Sequence, residues 1–427
     1  MQIRPPRGRL KTEAPCNRPW ALVNRRAKDS LRRMPPTART RRQPEDTMAP
    51  TAPSAAQPRS SMKLEQVFDP RNNSLNAFRL ALAAEVMLWH SFPITGRMPP
   101  VAILQILFSV GVDGFFAISG FLISRSWLTN PRLREYLVAR ALRILPGFYV
   151  CLIVTAFVFA PIFLEIRGGA VSELLTSSAP LDYVLKNSGI IYVQHDVGGT
   201  PYGIPDAHAG WNGSLWSLIW ELLCYLVVAV LGVVGLATRR WISPVILALA
   251  IGGALLFPPL TFPGVWTIPQ LLFRSAIMFA AGACLYHWRD VIPARWSLVA
   301  VSVVIVVAAG FLPDYRIVAA LPLAYAVIVS GSLIKNRRLQ LRTDVSYGLY
   351  IYAFPTQQLL AAAGLVFLGP ILFFLVSVTV TLPIAALSWF AVERPAMALK
   401  RRLKGKSTAS AQLPSVDPAA EPEPQTG

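Results

Sequence analysis

Long apolar stretches broken by short polar connections run through most of the chain. A helix that crosses a bilayer needs about 20 mostly apolar residues. Ten segments meet or approach that length: 74–92, 101–124, 145–165, 214–236, 242–260, 267–286, 296–312, 317–334, 343–365 and 370–391. The pattern predicts an all-α fold, a polytopic transmembrane helix bundle of about ten spans. Lys and Arg divide unevenly among the connections. One alternate set (125–143, 238–240, 287–295, 335–342 and 394–406) holds nineteen, while the other (93–100, 166–213, 261–266, 313–316 and 366–369) holds four. Cytoplasmic connections carry the positive excess, so both termini are predicted to be cytoplasmic, in agreement with an even number of spans. The longest connection on the outer side is 166–213, with Tyr183, Tyr192, His195, Tyr202, His208 and Trp211. No internal repeat of the kind found in many transporters is visible.

Composition agrees. Of 427 residues, 54% are apolar and 15% charged, with a mean hydropathy of +0.47. A water-soluble domain carries about a quarter charged residues, so a soluble enzyme, a disordered protein and a disulfide scaffold are excluded. The net charge of +19 does not signal nucleic acid, because the basic residues flank apolar stretches. Cys16, Cys151, Cys224 and Cys284 form no CxxC pair, so neither a metal site nor structural disulfides are expected. Residues 1–60 hold fourteen Lys/Arg against four Asp/Glu, with many Pro. They read as a disordered basic arm reaching to about residue 70, with Met48 and Met62 as alternative starts. The folded domain is then 71–398, and 399–427 a disordered cytoplasmic tail.

Charged residues at membrane depth cost about 2.5–3.5 kcal/mol or more each on insertion scales. Arg79, Glu85, His90, Asp113, Glu221 and Arg274 are therefore candidates for function. The competing reading of each is mutual pairing that only holds the bundle together. Arg79 and His90 lie eleven residues apart. At about 100° and 1.5 Å per residue they point within about 20° of each other, about 16 Å apart along the axis. One helix face thus presents a fixed cation toward the cytoplasm and a titratable imidazole further out. That layout suits a long anionic molecule entering from the cytoplasm. Glu85 falls about 120° from this stripe and reads as structural.

Three further groupings stand out. Arg140 and Arg143, at i and i+3, share a face just inside the third span. Guanidinium forks fit phosphates, although ordinary positive-inside charge explains the spacing as well. Gly111, Gly114, Ser119 and Gly120 surround Asp113 in the second span, and small residues permit close approach of a helix or a ligand. In the fourth span Trp216 and Trp220, and Glu221 and Tyr225, are i, i+4 pairs; the tryptophans also fit an interfacial belt.

Taken in order, these pieces resemble the membrane-bound acyltransferase-3 family of O-acyltransferases, from about Asn76 to Pro395. The resemblance rests on Arg79-x10-His90, the block from Gly111 to Ile123, and Arg140-x-x-Arg143-x-x-Pro146. It continues through Ser214-Leu-Trp-Ser-Leu with Glu221 and Tyr225, Ser346-Tyr-Gly-Leu-Tyr-Ile-Tyr352, and Glu393-Arg-Pro395. It implies transfer of an acyl group, usually acetyl from acetyl-CoA, to a hydroxyl of a sugar in lipopolysaccharide, capsule, exopolysaccharide or a glycosylated small molecule. It also implies a bacterial inner membrane, His90 as the catalytic residue, Arg79 as its motif partner, and Arg140 and Arg143 as the cytoplasmic donor site. One departure stands out. Many members have a His after the Ser-Tyr-x-x-Tyr motif, whereas Ala353-Phe354-Pro355 follows Tyr352 here.

The expected chemistry follows. Acyl-CoA phosphates meet Arg140, Arg143 and Arg79 at the inner side, and the thioester reaches His90. His90 then takes the acceptor's proton or carries the acyl group itself. Glu221 or Asp113 orients the imidazole, and backbone N–H groups of Gly111–Gly120 offer an oxyanion site. Trp216, Tyr225 and Ser119 are candidates for binding the acceptor. Acyl-CoA is expected as a donor substrate and not as a resident cofactor; the other partners are a glycan acceptor and the bilayer. A proton-coupled transporter or glycan exporter would explain the intramembrane charges equally well, but not the Arg-x10-His face or the Arg-x-x-Arg pair.

Overall fold

A computed structural model describes residues 62–399, apart from Val265 and Arg342. The expected arm up to residue 61 and the tail from residue 400 lie outside the described residues. Among the described residues all regular structure is helical.

The last residues of the expected arm are packed. Helix α1 (Leu64–Val67) buries Leu64 completely. Its Leu64 N–H donates to the Ile292 carbonyl at 2.8 Å, and Phe68 meets Phe121 edge-on at 4.9 Å. Apolar Leu64 and Phe68 supply burial that the basic residues upstream lack.

Each of the ten expected segments is helical. The helices are α2 (Leu75–Ile94), α3 (Val101–Thr129) and α4 (Leu133–Val154), which runs through a π turn (Thr155–Phe159) into α5 (Ala160–Arg167). After α6 (Val171–Thr176) and α7 (Ala179–Asn187) come α8 (Trp216–Val233), α9 (Ile242–Ala254), α10 (Ile268–His287) and α11 (Trp296–Ala309). The series ends with α12 (Arg316–Leu333), α13 (Ser346–Ala362) and α14 (Gly369–Ser388), followed by a π turn (Trp389–Glu393). Six helical segments are long and apolar enough to cross a membrane, and α9 and α11 are shorter apolar helices. This is a multi-pass membrane protein.

The bundle is inside-out relative to a soluble one. Its outward faces are apolar: Val301 and Val304 on α11, Val230 and Val233 on α8, and Ile371 and Leu387 on α14 are exposed. Exposed apolar faces of this extent require lipid. Its interior holds charge, with Asp113, Arg274 and Arg316 all buried. Helix α13 lies deepest, packed by α2, α4, α5 and α14. Helices α3 and α10 approach most closely at two glycines. A Cβ on Gly120 would overlap the Phe279 carbonyl, and one on Gly282 the Ala117 carbonyl. Small residues at both crossing positions let the backbones touch.

The 166–213 connection is a folded cap and not an open loop. Asn212 donates to Thr155 Oγ1 (3.0 Å) and to the Tyr183 hydroxyl (2.6 Å). Trp211 donates to Thr200 Oγ1 at 3.1 Å. Tyr183 and Trp211 are fully buried, so these two aromatics hold the cap together and do not face a ligand.

Candidate active site

Helix α2 carries Arg79 and His90, and neither faces outward. His90 lines a cavity of about 400 Å³ together with Glu85, Trp89, Trp216, Arg274 and Phe354. Arg79 lines a smaller one of about 30 Å³ with Phe115, Glu221, Tyr347 and Tyr350. Val112 of α3 is a wall of both cavities. The periodicity of α2 therefore places the two groups along one side, as the spacing predicts.

At the His90 end, Phe354 meets the imidazole edge-on, with ring centroids 4.7 Å apart. Phe354 is the second residue after the Ser346–Tyr352 motif, in the stretch where many members carry a histidine. Among the described residues no group hydrogen-bonds His90, which leaves both ring nitrogens available. The neighbouring turn of α2 is tied to α13, because Gln357 donates to Ser91 Oγ (2.8 Å) and to the Met87 carbonyl (3.0 Å). These bonds fix the axial position of the helix that carries His90. Asp206 and His208 of the cap line the same cavity and lie 3.4 Å apart. Burial pushes the Asp206 carboxyl up to about 6, against a smaller lowering by His208.

Glu85 corrects the sequence reading. Rotated away from the Arg79–His90 stripe, it still lines the His90 cavity, because α3 packs on that side of α2. A Cβ on Gly111 would overlap the Glu85 carboxylate, so Gly111 gives this side chain its space. Its Oε1 is buried with no hydrogen-bond partner among the described residues.

Asp113 does not line the His90 cavity. It accepts from Arg274 Nε (2.9 Å), Arg316 Nε (2.7 Å) and the Tyr315 hydroxyl (2.6 Å), which joins α3, α10 and α12. Arg316 was counted from sequence in an outer connection, but it is the first residue of α12 and is buried against Asp113. Arg274 reaches the cavity. Its guanidinium lies over Trp216, 5.2 Å from the ring centroid, and its Nη1 is buried without a partner among the described residues.

Glu221 is likewise remote from the imidazole. It faces Arg79's cavity and accepts from Ser119 at 2.7 Å and from the Tyr225 hydroxyl. Ser119 and Tyr225 thus act on Glu221 in this structure, while Trp216 reaches the His90 cavity. The glycines expected to bare backbone N–H groups sit inside α3. In a regular helix each N–H points to the carbonyl four residues earlier, and the Gly111 backbone also faces the Glu85 carboxylate.

At the other end, Arg79 donates to Asp344 at 2.8 Å and Arg143 donates to the same carboxylate. Arg143 Nη1 also lies 3.7 Å from Glu393 Oε2. Arg140 lies over the Tyr225 ring, 5.9 Å from its centroid, with Nε buried and unpartnered among the described residues. Asp344 lies in the connection before α13, and no motif pointed to it. It offsets Arg143, one of the two guanidiniums that the sequence offered to phosphate, while Arg140 pairs with no carboxylate among the described residues.

Comparison with known proteins agrees with this layout. The model of a family described as an acyltransferase domain matches residues 72–390. An O-acetyl transferase of Shigella phage Sf6 is 26% identical over 345 residues, 76% of this chain and 96% of the relative. Nodulation protein 10 of Rhizobium leguminosarum bv. viciae is 26% identical over 366 residues, 78% and 95% respectively. No solved structure matches. With three quarters of its length matched and the Arg79–His90 helix face lining two adjoining cavities, the chain belongs to the acyltransferase-3 family and is a membrane acyltransferase.

Proposed function

We propose that the enzyme transfers an acyl group, acetyl in the simplest case, from cytoplasmic acyl-CoA to a hydroxyl of a sugar or exported glycan. It does so in a ten-span bundle of a bacterial inner membrane, with both termini cytoplasmic. The observation that carries this reading is His90. It is an imidazole without hydrogen bonds in a cavity large enough for reacting groups, on the same helix side as a guanidinium about 16 Å away. A transporter of protons would connect its titratable groups, whereas here Asp113 and Glu221 are bound up in separate clusters. That the phage relative is an O-acetyl transferase supports acetyl as the group moved.

In this reading neutral His90 accepts the acceptor hydroxyl's proton as the oxygen attacks the thioester carbonyl. Arg274 Nη1 stabilises the oxyanion, and the thiol leaves with the proton that His90 returns. Arg79 and Glu221 line the narrower approach. Trp216 and the cap residues Asp206 and His208 bound the acceptor side.

The test compares wild type, His90→Ala and Trp220→Phe in cells, reading O-acetyl content of the surface glycan by NMR and protein level by immunoblot. His90→Ala should lose about 10²-fold or more of the activity at unchanged protein level. Full O-acetylation by a stable His90→Ala variant would end the assignment.

A further inference from the structure

A third cavity, of about 780 Å³, opens at the Arg79 end of the bundle. Its described lining includes Arg71, Asn76, Arg125, Arg337 and Gln340, with no Asp or Glu. Arg71 belongs to the turn between α1 and α2, Arg125 to α3, and Arg337 to the connection between α12 and α13. No carboxylate among the described residues pairs with any of the three. Arg71 and Arg337 are exposed, and Arg125 is half-buried with its guanidinium over Phe68, 6.0 Å from the ring centroid. Three guanidiniums around one large polar hollow repel each other, and among the described residues none forms an ion pair, although the Asp69 carboxylate accepts from the Arg71 backbone N–H nearby. Such an arrangement fits an anion with several charges. It contrasts with Arg143, which has Asp344 and Glu393.

Position identifies which anion. Along α2 the three cavities follow in order: Leu75 and Asn76 wall the basic hollow, Arg79 the small cavity, and Glu85 to His90 the large one. Helix α3 repeats the order in reverse, with Arg125 and Leu122, then Phe116 and Phe115, then Phe108. From Asn76 to His90 and from Leu122 to Phe108 there are fourteen residues each, about 21 Å of helix. The hollow is also clamped to the Arg79 site, because Asn76 donates to the Leu341 carbonyl at 2.9 Å and the same connection carries Asp344.

We propose that Arg71, Arg125 and Arg337 bind the phosphates of the donor's nucleotide end, so that the thioester arm passes Arg79 toward His90. This rests on acyl-CoA being the donor. It moves the charged anchor from Arg140 and Arg143 to a cluster that no sequence motif marks.

The test uses full-length protein in nanodiscs with two donors: acetyl-CoA, and S-acetyl-pantetheine, which lacks the nucleotide and its phosphates. Thiol release is followed with each. Arg71→Gln, Arg125→Gln and Arg337→Gln should each raise KM for acetyl-CoA about tenfold, the size of one charge-assisted hydrogen bond. They should leave kcat, and KM for S-acetyl-pantetheine, within about twofold. The rise of KM with salt should be shallower in the variants. Unchanged KM for acetyl-CoA in all three variants would overturn the proposal. So would an equal rise with both donors, which marks indirect damage. Loss of anionic-lipid binding with unchanged KM would assign the cluster to headgroup phosphates instead and overturn it too. If wild type releases no thiol from acetyl-CoA, the donor reading itself fails, a result separable from all of these.

Discussion

Replacing Asp344 by Asn removes one charge from a place where the structure concentrates four ionisable groups. The carboxylate accepts from Arg79 and Arg143, and its side chain is 11% exposed against 19% and 15% for theirs. Burial alone would push this carboxyl up. The Arg143 and Arg79 guanidiniums, with Ser346, outweigh burial and hold it at about 2. Against an ordinary Asp near 3.9 the difference corresponds to about 2.5 kcal/mol in favour of the folded state. A depressed carboxyl stabilises above its ordinary value and loses that contribution as pH falls from about 4 through about 2. At pH 7 the whole amount is present. Asp344→Asn would also leave two guanidiniums with only Glu393, which sits 3.7 Å from one of them. Stranding a buried charge costs about 3–5 kcal/mol. A loss of at least about 2.5 kcal/mol should lower Tm by at least about 3 °C in a folded domain of this size, read by fluorescence-detected size exclusion after heating in detergent. The double variant Asp344→Asn/Arg79→Gln should melt closer to wild type than Asp344→Asn alone, because it removes the guanidinium left without any carboxylate, whereas Arg143 keeps Glu393. An unchanged Tm in Asp344→Asn refutes the reasoning, as does a double variant that melts at the sum of the two single losses.

Two further outcomes follow from the same geometry. Gly120→Ala drives a methyl into the Phe279 carbonyl, and backbone cannot yield as a side chain does; the variant should lose about 1–3 kcal/mol. Gly252→Ala, inside α9 with nothing within 4 Å of the added Cβ, should be neutral or up to about 1 kcal/mol more stable, and a parallel Tm series checks both. Asp206 offers a pH test, because burial raises its carboxyl to about 6. A carboxyl raised on folding stabilises fully below about pH 4 and loses that contribution as pH rises through about 6. Wild type should therefore lose up to about 3 kcal/mol across that window and Asp206→Asn should not. Parallel Tm–pH curves for the two proteins would refute the assignment.

What the sequence made legible was whatever depends on one helix at a time. Apolar length located the ten helical segments, and the 3.6-residue turn put Arg79 and His90 on one side of α2. What it hid depends on neighbours. Glu85 looked structural on its own wheel, yet α3 lies on that side and Gly111 opens the gap. Arg143 looked like a free phosphate fork, yet its counter-charge Asp344 comes from a connection two hundred residues away. Asp113 and Glu221 looked like partners for the imidazole, yet packing commits the first to Arg274 and Arg316 and the second to Ser119 and Tyr225. Trp211 and Tyr183 stood out only as aromatics of the outer connection, yet the Asn212 and Thr200 hydrogen bonds fold the cap around them. In each case the residue type was read correctly and the missing information was who stands opposite.

That distinction also separates the two readings every intramembrane charge began with. A charge kept only to hold helices together should be found with its counter-charge satisfied. Asp113 with Arg274 Nε and Arg316 fits that description, and so does Asp344 with Arg79 and Arg143. A group kept for a ligand should be found incompletely partnered and next to space. Glu85 Oε1, Arg274 Nη1 and the imidazole of His90 meet that condition at one cavity, and Arg71, Arg125 and Arg337 meet it at another. The satisfied clusters tie α3 to α10 and α12, and α2 to α4 and the connection before α13, which are the joints of the bundle. Glu85 and His90 lie on α2 and Arg125 on α3, while Arg274 reaches in from α10 and Arg71 and Arg337 from connections. Burying unpaired polar atoms costs about 1–3 kcal/mol each, so a ligand that completed Glu85 Oε1 and Arg274 Nη1 at the His90 cavity would recover that cost.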